Sequence, residues 1–243
     1  MGWARLRSDT ELNNSTSALE LFPSSLTSHG DAAGSPWSAA LCSNVSSGQG
    51  DWWPLQLYWQ GEADPLQPEL VQVDPVLRLL LLGDGLTTRT LAALTQEPIQ
   101  AHLLDTGRVE LLAEQSAAPQ SMQRLTKDLA RLGSPLLRRR VWLCGATSQQ
   151  PLLYATSWWN SDHLAQYLPH PDLPIGQNLI QEKLETFREV RRLYYGEAEP
   201  VARLLNCRGP FWARHYLLLH RGQPLTVIYE VFSSRLQARV LSG

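Results

Sequence analysis

Three consecutive arginines, Arg138 to Arg140, stand inside LRRRVWLC (Leu137–Cys144), a run whose other residues are those of a core strand. Alternation along a strand puts Leu137, Arg139, Val141 and Leu143 on one face and Arg138, Arg140, Trp142 and Cys144 on the other, so Arg139 shares its face with aliphatic side chains. In LTVIYEVF (Leu225–Phe232) the same rule groups Thr226, Ile228, Glu230 and Phe232, and here a carboxylate is flanked by apolar neighbours. A buried guanidinium and a buried carboxylate each need a partner, because unpaired burial of charge is strongly unfavourable. Two arrangements satisfy that need. In one, Arg139 and Glu230 form a structural ion pair. In the other, both face a closed polar cavity, where Arg139 grips a ligand carboxylate through its planar fork and Glu230 accepts a hydroxyl hydrogen or a proton.

The remaining reactive side chains carry weaker signals. Arg138 and Arg140 read as a solvated face, since phosphate-binding surfaces show broader basic patches. Arg214, two residues after Trp212, reads equally as a second carboxylate ligand or as a structural arginine. His102, His215 and His220 are scattered without an evident triad partner, and the pairs Trp52-Trp53 and Trp158-Trp159 read as packing residues. Cys42, Cys144 and Cys207 have no metal-ligand spacing and leave an odd thiol, so reduced cysteines are expected, with neither a disulfide framework nor a zinc site.

These residues need a scaffold, and 243 residues with 43% hydrophobic and 18% charged side chains suffice for one substantial domain. A formal net charge of −2 argues against nucleic acid or a membrane surface as partner, and no apolar run approaches the roughly 20 residues of a membrane span. The first residues lack a signal-peptide core, so a cytoplasmic monomer is expected. Residues 1–55 are rich in Ser, Asn and Gly without either period and are expected to form a mobile segment, with the folded domain over 56–243. DWWPLQLYW (Asp51–Trp59) is too aromatic for a linker and reads as a strap against that domain.

Inside the domain, Asp74-Pro75 opens a short helix that Gly83 stops, and Asp84 reads as the cap of a second helix through LTTRTLAALTQ. IQAHLLDTGRVELL reads as a hairpin turning at Asp105 to Gly107, and Leu125, Leu129 and Leu132 mark another helix. LLRRRVWLC and PLLYATSWW form a second hairpin, and Asn160 or Ser161 caps a helix to Leu168. FREVRRLYY fits both a helical face and an alternating strand, while FWARHYLLLH and LTVIYEVF close a third hairpin about Arg221 to Pro224. Hairpins with helices interspersed predict an α+β domain on an antiparallel sheet.

Four blocks, in order, resemble the chorismate pyruvate-lyases (4-hydroxybenzoate synthases). DGLTTR (Asp84–Arg89) is similar to that family's segment at an early helix start, and LRRRVWLCG to its strand with an arginine five residues before a cysteine, which falls on Arg139. LPIGQNLI resembles its Pro-Leu-Gly loop, with Ile175 in place of Leu and Gln177 in place of a basic residue. FWARHYLLLHRGQPLTVIYEVF resembles its closing hairpin. The stretch from the turn proline to the glutamate is one residue longer than in enterobacterial members, so either the strand carries a bulge or Tyr229 takes the inward place.

The resemblance implies a single antiparallel sheet with helices covering one side and lid helices over an enclosed ligand site, and favours a strand for FREVRRLYY. It implies elimination of pyruvate from chorismate to give 4-hydroxybenzoate for ubiquinone or plastoquinone biosynthesis, without metal or cofactor. Arg139 would hold the ring carboxylate, Glu230 would meet the 4-hydroxyl and backbone groups at Leu86 and Ile175 would contact the ligand, while Arg214 would either serve the enolpyruvyl end or be a surface or structural arginine. The same fold also serves as a non-catalytic, small-molecule-binding effector domain, which is the alternative expectation.

Overall fold

Asp74 caps the first helix as its place before a proline predicts: its Oδ1 accepts from the N–H of Val76 at 2.8 Å and of Leu77 at 3.4 Å. That helix, α1 (Pro75–Leu82), turns Leu77, Leu80 and Leu81 inward. The computed structural model describes residues 52–111, 116, 118–170 and 173–238, all within one unit spanning 49–243. The expected mobile segment therefore lies outside the described residues up to residue 51. From Trp52 onward the strap is described, and Trp52 and Leu55 are buried in the packing, upstream of the expected start of the domain at 56.

Seven strands form one antiparallel sheet: β1 (Gln56–Gly61), β2 (Ile99–Val109), β3 (Leu136–Gly145), β4 (Pro151–Asn160), β5 (Phe187–Glu197), β6 (Phe211–His220) and β7 (Gln223–Phe232), in the order β1-β5-β6-β7-β4-β3-β2. The helices are α1, α2 (Thr87–Thr95), α3 (Gln123–Ala130), α4 (Ser161–Tyr167, capped by Asn160), α5 (Ile175–Gln181), α6 (Glu199–Leu205) and a short α7 (Arg235–Ala238). Among the described residues no helix is long and apolar enough to cross a membrane. The β6–β7 turn is the two residues Arg221 and Gly222, both at positive φ (51° and 75°), as the twist of a tight hairpin requires.

Three expectations change. The hairpin at Asp105 to Gly107 is absent, because β2 runs straight through: Asp105 lies opposite Arg140, and its Oδ1 accepts from the Arg140 Nε at 2.9 Å, which holds a turn-prone Asp-Thr-Gly in the ladder. Asp84 does not cap α2, since the helix starts only at Thr87, with Leu86 at the N-cap position and no side-chain cap. Arg138 and Arg140 are not a solvated face; they are 7% and 2% exposed. Strap and sheet explain the last point. Trp52 packs edge-on against Trp158 and Tyr229, Trp53 stacks on Tyr154, and the Arg140 guanidinium lies 4.8 Å from the Trp53 ring centre.

Both faces of the sheet are thus covered. On the strap side, α3 docks through Asp128, which accepts from Arg191 Nε at 3.1 Å and lies 3.0 Å from His215 Nε2, while His215 Nδ1 lies 2.7 Å from the Tyr194 hydroxyl. Burial lowers the His215 pKa despite Asp128, so the neutral ring donates to Asp128 and accepts from Tyr194. On the other side, α1 and α2 pack over Val141, Leu143, Leu153 and Phe232 in one apolar cluster, and Leu168 and Leu179 join Tyr216, Leu218 and Ile228 in a second.

Candidate functional site

Between those two clusters the sheet does not fully meet its helices, leaving a cavity of about 60 Å³, smaller than the roughly 300–1,000 Å³ of ordinary small-molecule sites. Its floor is apolar: Val141, Leu143, Leu153, Ala155 and Ile228. Its polar groups come from four strands and a helix start, namely Arg139, Arg188, Tyr216, Glu230 and Thr87. The roof consists of two helix beginnings, Leu86 to Thr88 at α2 and Pro174 to Gly176 at α5.

Gly176 lets the two roof pieces meet, because a Cβ there would lie 3.2 Å from Thr88 Oγ1 and 3.3 Å from Leu86 Cδ2. Asn178, wholly buried, fastens the loop before α5: its Nδ2 donates to the His170 carbonyl at 2.9 Å and its Oδ1 accepts from the His170 N–H at 3.0 Å. The same loop presents the Leu173 carbonyl to Arg139 Nη2 at 3.3 Å, so β3 and the roof are joined through the arginine.

Arg139 and Glu230 both line this cavity, on the same face of the sheet, as their alternation predicts. They are not each other's ion pair. Glu230 Oε2 accepts from Arg214 Nε at 2.8 Å, and Oε1 accepts from the Tyr216 hydroxyl and from Thr87 Oγ1, both at 2.9 Å. Burial would raise the Glu230 pKa, but the charges of Arg214 and Arg188 and the hydrogen bonds from Arg214 and Tyr216 outweigh it and hold the carboxyl below its ordinary range. Burial raises the Tyr216 phenol, which therefore stays a donor. Glu230 is an ionised acceptor, ready for one more hydrogen.

Arg214 does not line the cavity; it stands behind Glu230. Besides that carboxylate it donates to the carbonyls of Leu81 (3.2 Å) and Gly83 (2.8 Å) and to Thr87 Oγ1 (3.0 Å), satisfying the open C-terminus of α1. The structure instead brings in Arg188, which sequence reasoning did not single out. It is buried on β5, its guanidinium lies 4.2 Å from the Tyr216 ring centre, and its Nη1 donates to Thr87 Oγ1 at 3.4 Å. Alternation with Val190 in FREV was the available signal, masked by Arg191 and Arg192 next to it. Thr87 was also missed, although it lies within the DGLTTR block.

The extra residue before Glu230 is taken up inside the strand. Leu218 pairs with Thr226 and Leu219 with Pro224, so Leu225 is a bulge, and Glu230 keeps the cavity face. Tyr229 faces the strap, where its hydroxyl accepts from the Leu55 N–H at 3.3 Å. Leu86 and Ile175 are in the roof.

Comparison with known proteins finds relatives of the chain and solved structures similar to it. The ycf21 protein of Cyanophora paradoxa is 28% identical over 181 residues, 74% of this chain and 89% of that protein, and the ycf21 protein of Porphyra purpurea is 30% identical over 67% of this chain and 83% of its own length. Among solved structures, the effector domain of PhnF from Mycobacterium smegmatis superimposes with a TM-score of 0.45 at 12% identity, over 63% of this chain and 91% of that domain. A GntR-family transcriptional regulator from Enterococcus faecalis gives 0.36 at 9% identity, over 57% and 92%. A family model described as chorismate pyruvate-lyase Rv2949c-like matches residues 81–240, and this chain belongs to that family.

Proposed function

We propose that the protein is a chorismate pyruvate-lyase, converting chorismate to 4-hydroxybenzoate and pyruvate. The observation that carries this reading is one partly closed cavity with a guanidinium on one wall and an ionised carboxylate on another, across an apolar floor. Arg139 is opposite Ser157, and Ser157 opposite Ile228, while Glu230 is two residues further along β7. Two strand spacings across and two residues along put the two Cα atoms about 12 Å apart. We assign the space between the two side chains to a single ring carrying a carboxylate and a hydroxyl at opposite ends.

In the reaction, the C4–H electron pair becomes the new ring π bond and the C3–O pair leaves with the enolpyruvyl oxygen. The proton from C4 ends on the enolpyruvyl methylene carbon, giving the methyl group of pyruvate. Aromatisation drives the step. Arg139 anchors the ring carboxylate bidentately, and Glu230 accepts the hydrogen of the 4-hydroxyl. A carboxyl held below its ordinary pKa is a poor proton acceptor, so Glu230 orients rather than deprotonates. The closed roof keeps water from the departing enolpyruvate. The product would be a ring precursor for ubiquinone or plastoquinone.

Incubation of the purified protein with chorismate should release 4-hydroxybenzoate and pyruvate in equal amounts, read by chromatography and by coupled lactate dehydrogenase. Tight binding of 4-hydroxybenzoate with no turnover of chorismate would refute the lyase and leave a binding domain of the same fold.

A further inference from the structure

Chorismate carries a second carboxylate, on the enolpyruvyl ether at C3, and the cavity holds a cation whose place matches it. Arg188 is 8% exposed and lines the cavity, yet it makes no ion pair with any described residue, and its Nε has no hydrogen-bond partner. Glu230 acts on Arg188 only across Thr87 and is itself paired with Arg214 at 2.8 Å, so that charge, stacking on Tyr216 and one 3.4 Å hydrogen bond to Thr87 offset only part of the cost of desolvating the guanidinium.

Position supplies the second half of the argument. The ether oxygen and the 4-hydroxyl of chorismate are on adjacent ring carbons, so the group that receives the enolpyruvyl carboxylate must be close to the one that meets the hydroxyl. Thr87 Oγ1 touches both: it donates to Glu230 Oε1 at 2.9 Å and accepts from Arg188 Nη1 at 3.4 Å. Arg139 reaches in from β3, Glu230 rises from β7 in the middle of the sheet, and Arg188 comes from β5 on the far side. A ring anchored at Arg139 with its hydroxyl on Glu230 turns its C3 substituent toward β5 in one of its two flips. Arg214, the other arginine at this end, has its guanidinium nitrogens engaged by Glu230, Leu81, Gly83 and Thr87.

We infer that Arg188 is the enolpyruvyl-carboxylate clamp, making this a site for a dicarboxylate and setting that flip of the ring; the assignment rests on the lyase reading. Its Nε and one Nη take the carboxylate. Its charge then also offsets the negative charge that builds up on the departing enolpyruvyl group.

The test compares three stable ligands by calorimetry: 4-hydroxybenzoate, 3-(carboxymethoxy)-4-hydroxybenzoate, which places an ether-linked carboxylate at C3, and 3-ethoxy-4-hydroxybenzoate as a neutral ether of similar size. The wild type should bind the dicarboxylate more tightly than the neutral ether. Arg188→Gln should weaken the dicarboxylate by on the order of tenfold to a hundredfold, the range of a hydrogen-bonded charge, and leave 4-hydroxybenzoate within about threefold, well under that range. Arg188→Lys should fall between. Equal losses for both acids would overturn the clamp, as would a wild type that does not distinguish the dicarboxylate from the neutral ether, a comparison that needs no variant to fold. A wild type that shows the preference but does not cleave chorismate would refute the lyase reading and leave the clamp standing.

Discussion

Replacing Glu230 by Gln tests the site and the fold in one variant. The carboxylate is 4% exposed and paired with an arginine that is 1% exposed, so solvent screens the pair little. Removing one side of such a pair costs on the order of 3–5 kcal/mol. Here the amide keeps an oxygen for Tyr216 and Thr87, and Arg214 keeps Leu81, Gly83 and Thr87 as acceptors. The low end therefore applies, about 3 kcal/mol, which at about 2–4 °C per kcal/mol lowers Tm by roughly 6–12 °C. The effect has a pH signature. The folded carboxyl titrates below its ordinary value of 4.5, because Arg214 and Arg188 outweigh the opposing effect of burial. A depressed folded pKa means stability that is complete above the unfolded value and lost as pH falls through the folded one. The gap between wild type and Glu230→Gln, measured by calorimetry, should be full near pH 7 and close as pH drops below the unfolded value. Turnover of chorismate should fall as well, since the amide is a weaker acceptor for the 4-hydroxyl and can present its NH₂ instead. A variant with unchanged Tm and no pH-dependent gap would refute the ion pair, and one with unchanged turnover would remove Glu230 from the site.

Arg139→Ala should weaken 4-hydroxybenzoate binding by about tenfold or more, the value of a charged hydrogen bond. Arg140→Met, on the opposite face, should lower Tm by breaking the contacts to Asp105 and Trp53 while leaving that affinity unchanged; equal effects on binding would refute the assignment of faces. Tyr229→Phe strands the Leu55 N–H at a cost of about 1–3 kcal/mol but should leave turnover intact, because the phenol lies on the strap side. Trp52→Ala empties a site shared with Trp158 and Tyr229 and should cost about 3–5 kcal/mol in denaturant unfolding, whereas a negligible loss would show that the strap is not part of the folded unit.

The sequence was most legible where alternation is uninterrupted. In β3 the pattern from Leu137 to Leu143 places Arg139 on the cavity face without reference to any other strand. It was less legible where a strand's partner decides. FREVRRLYY also fitted a helical face, through Leu184, Phe187, Arg191 and Tyr194, because its strand alternation is broken by a bulge at Arg191: Val190 pairs with Tyr216 and Arg192 with His215, so the inward series runs Arg188, Val190, Leu193, Tyr195. The burial of Arg138 and Arg140 depends on the strap and on Asp105, both far from them in the chain, and no local pattern announces it. The role of Arg214 was left open because an inward arginine looks the same whether it meets a ligand or, as here, the carbonyls at the end of α1.

The bulge at Leu225 has a bearing on how this sequence is compared with others. An alignment that matches the turn prolines and opens no gap before the glutamate would match every position beyond Leu225 to the wrong side, Tyr229 standing where a glutamate belongs. Counting from Phe232, whose partner Leu153 fixes the register against β4, avoids that error. The same geometry makes Leu225 a place where a codon can be lost or gained at little cost: without it, Pro224 and Thr226 would follow one another opposite Leu219 and Leu218, the ladder would be regular, and Thr226 to Phe232 would keep their sides. A deletion at Tyr229 would instead invert part of the strand and carry Ile228 out of the floor. Length variation among relatives is thus expected at this point of the hairpin, inside a strand, with the glutamate unmoved.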